Sequence, residues 1–164
     1  MTDATASRVI ATMAERGLTL AVAESLTGGM LVARLVDIPG ASAVVSGGVV
    51  AYATALKRTL LGVPQSLLTE HGPVHPEVAI AMARGVRERL AVDGVPAHLG
   101  VATTGVAGPD PQGDAPVGLV YVALVDARGA LVRELRLAGD RRAIREGTVE
   151  AALTLMGDRL DGRE

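Results

Sequence analysis

The chain has 164 residues, of which 49% are hydrophobic and 21% charged, a composition typical of one folded domain rather than a disordered segment. Its net charge is −2 and no run of basic residues occurs, which argues against a nucleic-acid partner. The absence of cysteine excludes disulfides and thiol nucleophiles. No apolar run approaches the ~20 residues of a membrane span, and the first residues lack a signal-peptide pattern. We therefore predict a single cytoplasmic domain over residues 1–164 with no membrane partner.

Hydrophobic periodicity predicts an alternation of helices and strands along most of the chain. Helices are expected over residues 4–16, 30–37, 54–61, 64–70, 76–90 and 141–160, and strands over 18–22, 43–51, 99–103, 117–125 and 131–137. The last two strands form a hairpin, and polar residues in the final strand favour an edge position or one wet face. This order predicts an α/β fold, a three-layer α/β/α sandwich with a mixed, mostly parallel five-stranded sheet.

The segment over residues 23–29 lies at a predicted strand-to-helix turn. Such a turn presents free backbone N–H groups at a helix N-terminus, where they attract anions. Gly28 and Gly29 have no Cβ atom, so a ligand can approach the backbone closely. Ser25 and Thr27 either cap the helix or contact a substrate, and the sequence leaves both alternatives open.

The stretch from Ser42 to Lys57 carries the residue types of nucleophilic catalysis. A serine hydroxyl needs a base to remove its proton, and a lysine can be that base when apolar neighbours lower its pKa. Lys57 is the only lysine among 16 cationic residues, which fits a need for a cation that can lose its proton; the alternative is an ordinary surface lysine. A straight strand would separate Ser42 from Tyr52 by ~33 Å, so either the chain folds back at Gly47-Gly48 or two subunits share the site.

Two further stretches place polar groups next to predicted elements. Thr104 and Gly105 lie at the carboxyl end of the third strand, where open α/β sheets bind ligands. Arg141 begins the last helix, where its guanidinium could hold a phosphate through two hydrogen bonds. Asp110 and Asp114 fit no known metal loop and the three histidines are scattered, so we expect no metal site.

Together these stretches resemble the C-terminal domain of the CinA family, whose stand-alone members are nicotinamide-nucleotide amidohydrolases. The family motif A-E-S-C-T-G-G is matched by residues 23–29, with Leu26 in place of cysteine. The motifs G-x-S and G-x-V-x-Y-x-x-x-x-K are matched by residues 40–42 and 48–57. S/T-G-I-A-G-P, P-V-G and G-D-R are matched by residues 104–109, 116–118 and 139–141. The resemblance covers about residues 8–155, nearly the whole chain.

The resemblance implies a nicotinamide mononucleotide deamidase, which hydrolyses the carboxamide to nicotinic acid mononucleotide and ammonia without a metal or other cofactor. By motif position, Ser42 is the expected nucleophile, Lys57 its base and Tyr52 a supporting hydroxyl. The expected substrate contacts are Ser25, Thr27, Gly28, Gly29, Thr104, Gly105 and Arg141. The expected partner is a small pyridine nucleotide, and the expected assembly is a homo-oligomer.

Two alternatives stay open at this point. Ser25 is a rival nucleophile because it lies at a strand-to-helix turn, as the serine of α/β-hydrolases does, although the G-x-S-x-G frame is missing. The protein could instead be a non-enzymatic nucleotide-binding or regulatory module linked to competence or the DNA-damage response, since Thr54 and Ala55 replace a polar pair common in the family. The enzyme is favoured because five matched residues occur together: Ser42, Tyr52, Lys57, Thr104 and Arg141.

Overall fold

The computed structural model describes residues 2–163. In chain order, its elements are α1 (Thr2–Glu15), β1 (Leu20–Glu24), α2 (Met30–Val36), a short 3-10 turn (Ala41–Ala43), β2 (Val45–Val50), α3 (Thr54–Leu61), α4 (Gln65–His71), α5 (Pro76–Arg89), β3 (Leu99–Gly105), β4 (Leu119–Asp126), β5 (Gly129–Arg136) and α6 (Arg141–Asp161). Every predicted helix and strand is present, with boundaries that move by about two residues at most. Within the described residues, no helix combines the length and the apolar character that crossing a bilayer requires.

The five strands form one sheet in the order β2-β1-β3-β4-β5. β1 pairs in parallel with β2 and β3, whereas β4 is antiparallel to β3 and to β5. Four strands of the sheet therefore share one direction and β4 runs against them, which confirms the predicted mixed sheet. The edge position predicted for the last strand is also confirmed, because β5 pairs with β4 on one side and exposes alternate residues to solvent.

Helices cover both faces of the sheet, which confirms the three-layer sandwich. One hydrophobic core joins the sheet to α1, α2 and α6, and the other joins it to α3, α4 and α5. Successive side chains of a strand point to opposite faces, so Leu20 and Val22 of β1 enter the first core while Ala21 and Ala23 enter the second. The small residues of the second core let α5 lie close to the sheet: a Cβ on Gly100 would be 2.0 Å from a carbonyl oxygen of α5.

The carboxyl ends of the three parallel strands meet at one edge of the sheet. The last residue of β1, Glu24, is in register with Val50 of β2 and Thr103 of β3. The segments that leave these strands begin with Ser25 after β1 and Ala51 after β2, so residues far apart in sequence are brought together there. Ligands of open α/β sheets bind at this edge.

Candidate active site

A serine and a lysine meet at the carboxyl edge of the sheet. Lys57 projects from α3, and its Nζ atom donates hydrogen bonds to Ser25 Oγ and to the Ala51 carbonyl oxygen, both at 2.9 Å. The Ser25 backbone N–H donates to the Thr103 carbonyl oxygen of β3 at 3.0 Å. Both side chains are buried, since Ser25 is 7% exposed and Lys57 only 1%. The position of the pair is therefore set by the central strands of the sheet together with α3.

Burial gives this lysine the properties of a base. It lowers the pKa of Lys57 from 10.5 to about 8. The two oxygen atoms that its ammonium group contacts belong to a hydroxyl and a carbonyl, so neither one supplies a negative charge to balance the buried ammonium group. At pH 8 about half of the molecules then carry a neutral amine that can accept the proton of the serine hydroxyl beside it.

The strand-to-helix turn is held by Glu24, whose role the sequence analysis did not identify. Glu24 is fully buried, and its carboxylate accepts hydrogen bonds from the backbone N–H groups of Gly29 (2.9 Å), Leu31 (3.1 Å) and Val32 (2.9 Å). These donors belong to the first turn of α2, where they have no intrahelical partner and where the helix dipole favours a negative charge. Glu24 therefore supplies the helix cap that the sequence analysis had considered for Ser25 or Thr27.

A residue of α6, in the same helical layer as α2, also holds this turn. Arg145 of α6 donates from Nε to the Leu26 carbonyl oxygen at 2.8 Å and from Nη2 to the Thr27 carbonyl oxygen at 2.9 Å. Its guanidinium lies against Gly28, where a Cβ atom would be 3.4 Å from Nη2 and where a φ of +60° favours glycine. The turn is therefore fixed between α2 and α6.

A cavity of about 250 Å³ opens beside the serine. Its lining residues come from four parts of the chain: Ser25, Leu26, Tyr52, Gly105, Val106, Ala107, Gly108, Asp110, Gln112 and Arg141. Arg141 donates from Nη2 to Tyr52 Oη at 2.9 Å and from Nη1 to the Gly108 carbonyl oxygen at 2.7 Å. The phenol and the guanidinium are thus joined at the cavity wall. Gln112, in the loop before β4, is a lining residue that the sequence analysis did not single out.

Two of the predicted substrate contacts have buried side chains that do not reach this cavity. Thr27 is fully buried and its Oγ1 lies 2.8 Å from Thr103 Oγ1. Thr104 is 1% exposed and donates from Oγ1 to the Pro73 carbonyl oxygen at 2.7 Å. Both hydroxyls are therefore engaged in joining parts of the fold. Among the predicted glycines, Gly105 lines the cavity, whereas Gly28 and Gly29 shape the turn.

The predicted nucleophile Ser42 lies at the other end of β2 from Lys57. It is exposed in the 3-10 turn that precedes the strand, whereas Tyr52 and Lys57 follow the strand. Five residue steps of β2 alone span ~17 Å. Ser42 lines a separate cavity of about 390 Å³ with Thr19 and His98. Within one chain, the predicted pairing of Ser42 with Lys57 is therefore corrected to a pairing of Ser25 with Lys57.

The two glycines of β2 do not reverse the chain. The strand pairs with β1 on both sides of these glycines, and its register shifts by one residue at Ser46, between the pairs Leu20–Val45 and Ala21–Gly47. A Cβ atom on Gly48 would lie 2.3 Å from Val32 Cγ2, so this glycine lets α2 pack directly on the strand. The fold-back considered for these glycines is wrong, and their small size serves close packing between a helix and the sheet.

Comparisons with known proteins point to one family. The family model described as the CinA C-terminal domain matches residues 2–160. A CinA-like protein of Frankia casuarinae is 49% identical over 154 residues, which cover 94% of this chain and 34% of that protein. The chain thus spans about a third of the length of the curated relatives it matches.

Solved structures of similar proteins share the fold over almost the whole chain. The competence/damage inducible protein CihA from Agrobacterium tumefaciens has a TM-score of 0.89 at 37% identity, with 98% of this chain and 95% of that chain covered. A competence-damaged protein (CinA) superfamily protein from Klebsiella pneumoniae has a TM-score of 0.90 at 29% identity, with 99% of both chains covered.

Proposed function

Because the chain belongs to the CinA C-terminal domain family, we propose that it is an amidohydrolase in which Ser25 is the nucleophile and Lys57 the base. The observation that carries this proposal is the 2.9 Å hydrogen bond between Lys57 Nζ and Ser25 Oγ, at the wall of a cavity. A serine is a weak nucleophile until an adjacent base takes its proton, and a buried lysine is such a base. Ser25 thereby takes the role that motif position gave to Ser42.

The proposed substrate is nicotinamide mononucleotide, with the carboxamide beside Ser25 and the phosphate beside Arg141. A guanidinium has five N–H groups. Arg141 uses one on Nη1 for the Gly108 carbonyl oxygen and one on Nη2 for Tyr52 Oη. The remaining N–H groups can hold phosphate oxygens. Tyr52 accepts a hydrogen bond from Arg141 and keeps its own proton to donate to the same anion.

The proposed reaction has two halves that use the same base. Ser25 Oγ attacks the carboxamide carbon while Lys57 Nζ accepts the hydroxyl proton, and Lys57 then gives that proton to the departing ammonia. This leaves an ester between Ser25 and the nicotinoyl group. Lys57 next takes a proton from water, which attacks the ester, and the proton returns to Ser25 Oγ as the carboxylate product leaves. One water is consumed for each ammonia released.

The turn after the serine offers donors for the oxyanion of each tetrahedral intermediate. Within residues 2–163, the backbone N–H groups of Leu26 and Thr27 donate to no backbone acceptor, and Leu26 lines the cavity. Arg145 donates to the Leu26 carbonyl oxygen and so polarises the peptide group that contains the Thr27 N–H. A backbone donor that meets the oxyanion contributes about 3 kcal/mol to transition-state stabilisation.

The test is ammonia release from nicotinamide mononucleotide by the purified protein, with the pyridine product identified by mass. We expect one ammonia and one nicotinic acid mononucleotide for each substrate molecule consumed, and slower turnover of free nicotinamide, which has no phosphate to bind. A folded protein that binds the mononucleotide and releases no ammonia would contradict the proposal and favour the regulatory binding module.

A further inference from the structure

We propose that a second site, distinct from the cavity beside Ser25, binds a small organic anion with a flat apolar body and a phosphate or carboxylate group. The site is a cavity of about 290 Å³ at the opposite end of the sheet. Leu99 begins β3 and Asp126 ends β4 on this cavity, and Arg159 and Leu160 belong to the last turn of α6. The cavity therefore lies at the amino ends of the parallel strands, a full strand length from Ser25.

Positive charge is concentrated around this cavity. Among residues 2–163, four arginines and one carboxylate line it, although the chain as a whole has a net charge of −2. The four arginines are Arg16, Arg87, Arg128 and Arg159, and the carboxylate belongs to Asp126. Like charges gathered in a partly closed site repel one another and attract an anion from solution.

The carboxylate of Asp126 is already engaged by arginines. Arg159 is buried and donates from Nε to Asp126 Oδ2 at 2.8 Å and from Nη2 to Oδ1 at 2.5 Å. The Arg128 backbone N–H donates to Oδ1 at 2.8 Å. Burial raises the pKa of the Asp126 carboxyl, but the bonds from Arg159 and Arg128 outweigh it and lower the pKa to about 2. Asp126 therefore stays ionised and pairs with both Arg159 and Arg128, whose Nε lies 3.4 Å from Oδ2, so the charge offered to an anion is that of Arg16 and Arg87.

Two of the arginines contact carbonyl groups instead of carboxylates. Arg16 donates from Nη1 to the Leu160 carbonyl oxygen at 2.8 Å, and Arg87 donates from Nε to the Ala97 carbonyl oxygen at 2.9 Å. These bonds hold the guanidinium groups in place without cancelling their charge. Each group keeps further N–H donors, which match the oxygens of a phosphate or a carboxylate.

The rest of the lining determines which anion fits. Leu18, Leu99 and Leu160 form apolar wall between the arginines. A hydrated inorganic ion would leave these leucine side chains exposed to water. A flat ring would cover them and could stack on a guanidinium plane. The ligand class is therefore an aromatic phosphate or carboxylate, rather than a free inorganic anion.

Calorimetric titration with phenyl phosphate tests this proposal in an Arg141→Gln background, where the proposed phosphate contact beside Ser25 is removed. We expect one equivalent to bind, and phenol and inorganic phosphate each to bind at least tenfold more weakly. Adding Arg87→Gln should weaken binding at least tenfold. Arg84→Gln is the matched control, because Arg84 is exposed on the same helix and lines a different cavity.

A second variant separates loss of binding from loss of fold. Arg16 is exposed, so Arg16→Gln should fold normally and also weaken phenyl phosphate binding at least tenfold. Absence of binding to the background protein, or equal affinities with and without Arg87→Gln and Arg16→Gln, would overturn the proposal. In a chain that keeps Arg141, the variants Arg87→Gln and Arg16→Gln should each retain full deamidase activity. The binding result is therefore independent of the proposed function.

Discussion

Lys57 Nζ lies 2.9 Å from Ser25 Oγ although the two residues are 32 positions apart in the sequence. The contact follows from the parallel pairing of β1 with β2, because the segments after two parallel neighbours leave the sheet side by side. The chain turns into α3 three residues after β2 ends, and the first turn of this helix carries the lysine back over the end of β1. The pair thus depends on strand order and direction rather than on any local motif.

The first prediction concerns which serine is the nucleophile. Ser25→Ala should lower kcat by about 10³-fold or more, because the hydroxyl beside Lys57 is lost. Ser42→Ala is the matched control and should keep full activity, since Ser42 is exposed at the other end of β2. Steady-state ammonia release from nicotinamide mononucleotide measures both. Loss of activity in Ser42→Ala with retention in Ser25→Ala would reverse the assignment.

The second prediction concerns the pH dependence of the reaction. Only neutral Lys57 can accept a proton, and its pKa is about 8, so kcat/KM should rise about tenfold per pH unit below pH 8 and level off above it. Lys57→Arg should be inactive over the whole range because a guanidinium does not lose its proton. A rate that is flat between pH 6 and pH 9, measured with substrate far below KM, would argue against the lysine as base.

The third prediction concerns the cost of burying this lysine. Its pKa falls from 10.5 when unfolded to about 8 when folded, so the charged form is disfavoured by about 3 kcal/mol at pH 7. Between pH 8 and pH 10.5 the unfolded state binds more protons, so stability rises with pH in that window. Lys57→Met should therefore stabilise the protein by about 2 kcal/mol at pH 7, after about 1 kcal/mol for the hydrogen bonds it loses.

Urea unfolding at pH 7 and at pH 10 measures this effect. The advantage of Lys57→Met over the parent chain should shrink towards pH 10.5, where the lysine is neutral in the folded state and half of the unfolded molecules have lost its proton as well. Arg58→Met is the control, since Arg58 is an exposed neighbour on α3 and should change stability little at either pH. An advantage for Lys57→Met that stays constant with pH would show that packing, rather than charge burial, is responsible.

The fourth prediction concerns Arg145 as a positioning residue. Arg145→Gln removes donors to the Leu26 and Thr27 carbonyl oxygens and should lower kcat at least tenfold with little change in KM, because the turn that carries the proposed oxyanion donors loses its support. Arg142→Gln is the control: Arg142 lies on the same helix, is largely exposed and pairs with Glu146. A change in KM alone would instead indicate that Arg145 contacts the substrate.

The fifth prediction separates phosphate binding from chemistry. Arg141→Gln should raise KM for nicotinamide mononucleotide about tenfold or more, because a charge-assisted contact to the phosphate is lost. The turnover of nicotinamide riboside, which has no phosphate, should be slow in the parent chain and unchanged in the variant. Equal effects of the substitution on both substrates would place the role of Arg141 elsewhere in the site.

Sequence periodicity predicted the helices, the strands and the layer arrangement, because each element carries its own pattern of apolar residues. The pairing of Ser42 with Lys57 within one chain was wrong because motif matching does not say at which end of a strand a residue lies. Ser42 precedes β2, whereas Ser25 and Tyr52 follow β1 and β2. Parallel strands end at the same edge of the sheet, and this rule favours Ser25 over Ser42 as the partner of Lys57. Applying the rule requires the order of the strands in the sheet.

Two residues that hold the turn could not have been found from local patterns. Glu24 ends a strand, and its carboxylate reaches the amides of the next helix only because the turn bends back over it. Arg145 reaches carbonyl groups 118 and 119 positions earlier in the chain. Contacts of this kind arise from packing between elements, which periodicity within one element does not encode.

The distribution of the site between β1, α3 and α6 has a consequence for synthesis on the ribosome. Ser25 and Lys57, the proposed nucleophile and base, lie within the first 57 residues of the chain, whereas Arg141 and Arg145 belong to the last helix. Domains emerge amino end first, so a nascent chain holds Ser25 and Lys57 well before α6 exists. Until that helix packs, the turn lacks the two hydrogen bonds from Arg145, and the phosphate contact proposed for Arg141 is missing. Under the proposed mechanism, activity therefore begins only after α6 has been synthesised and has packed onto the sheet.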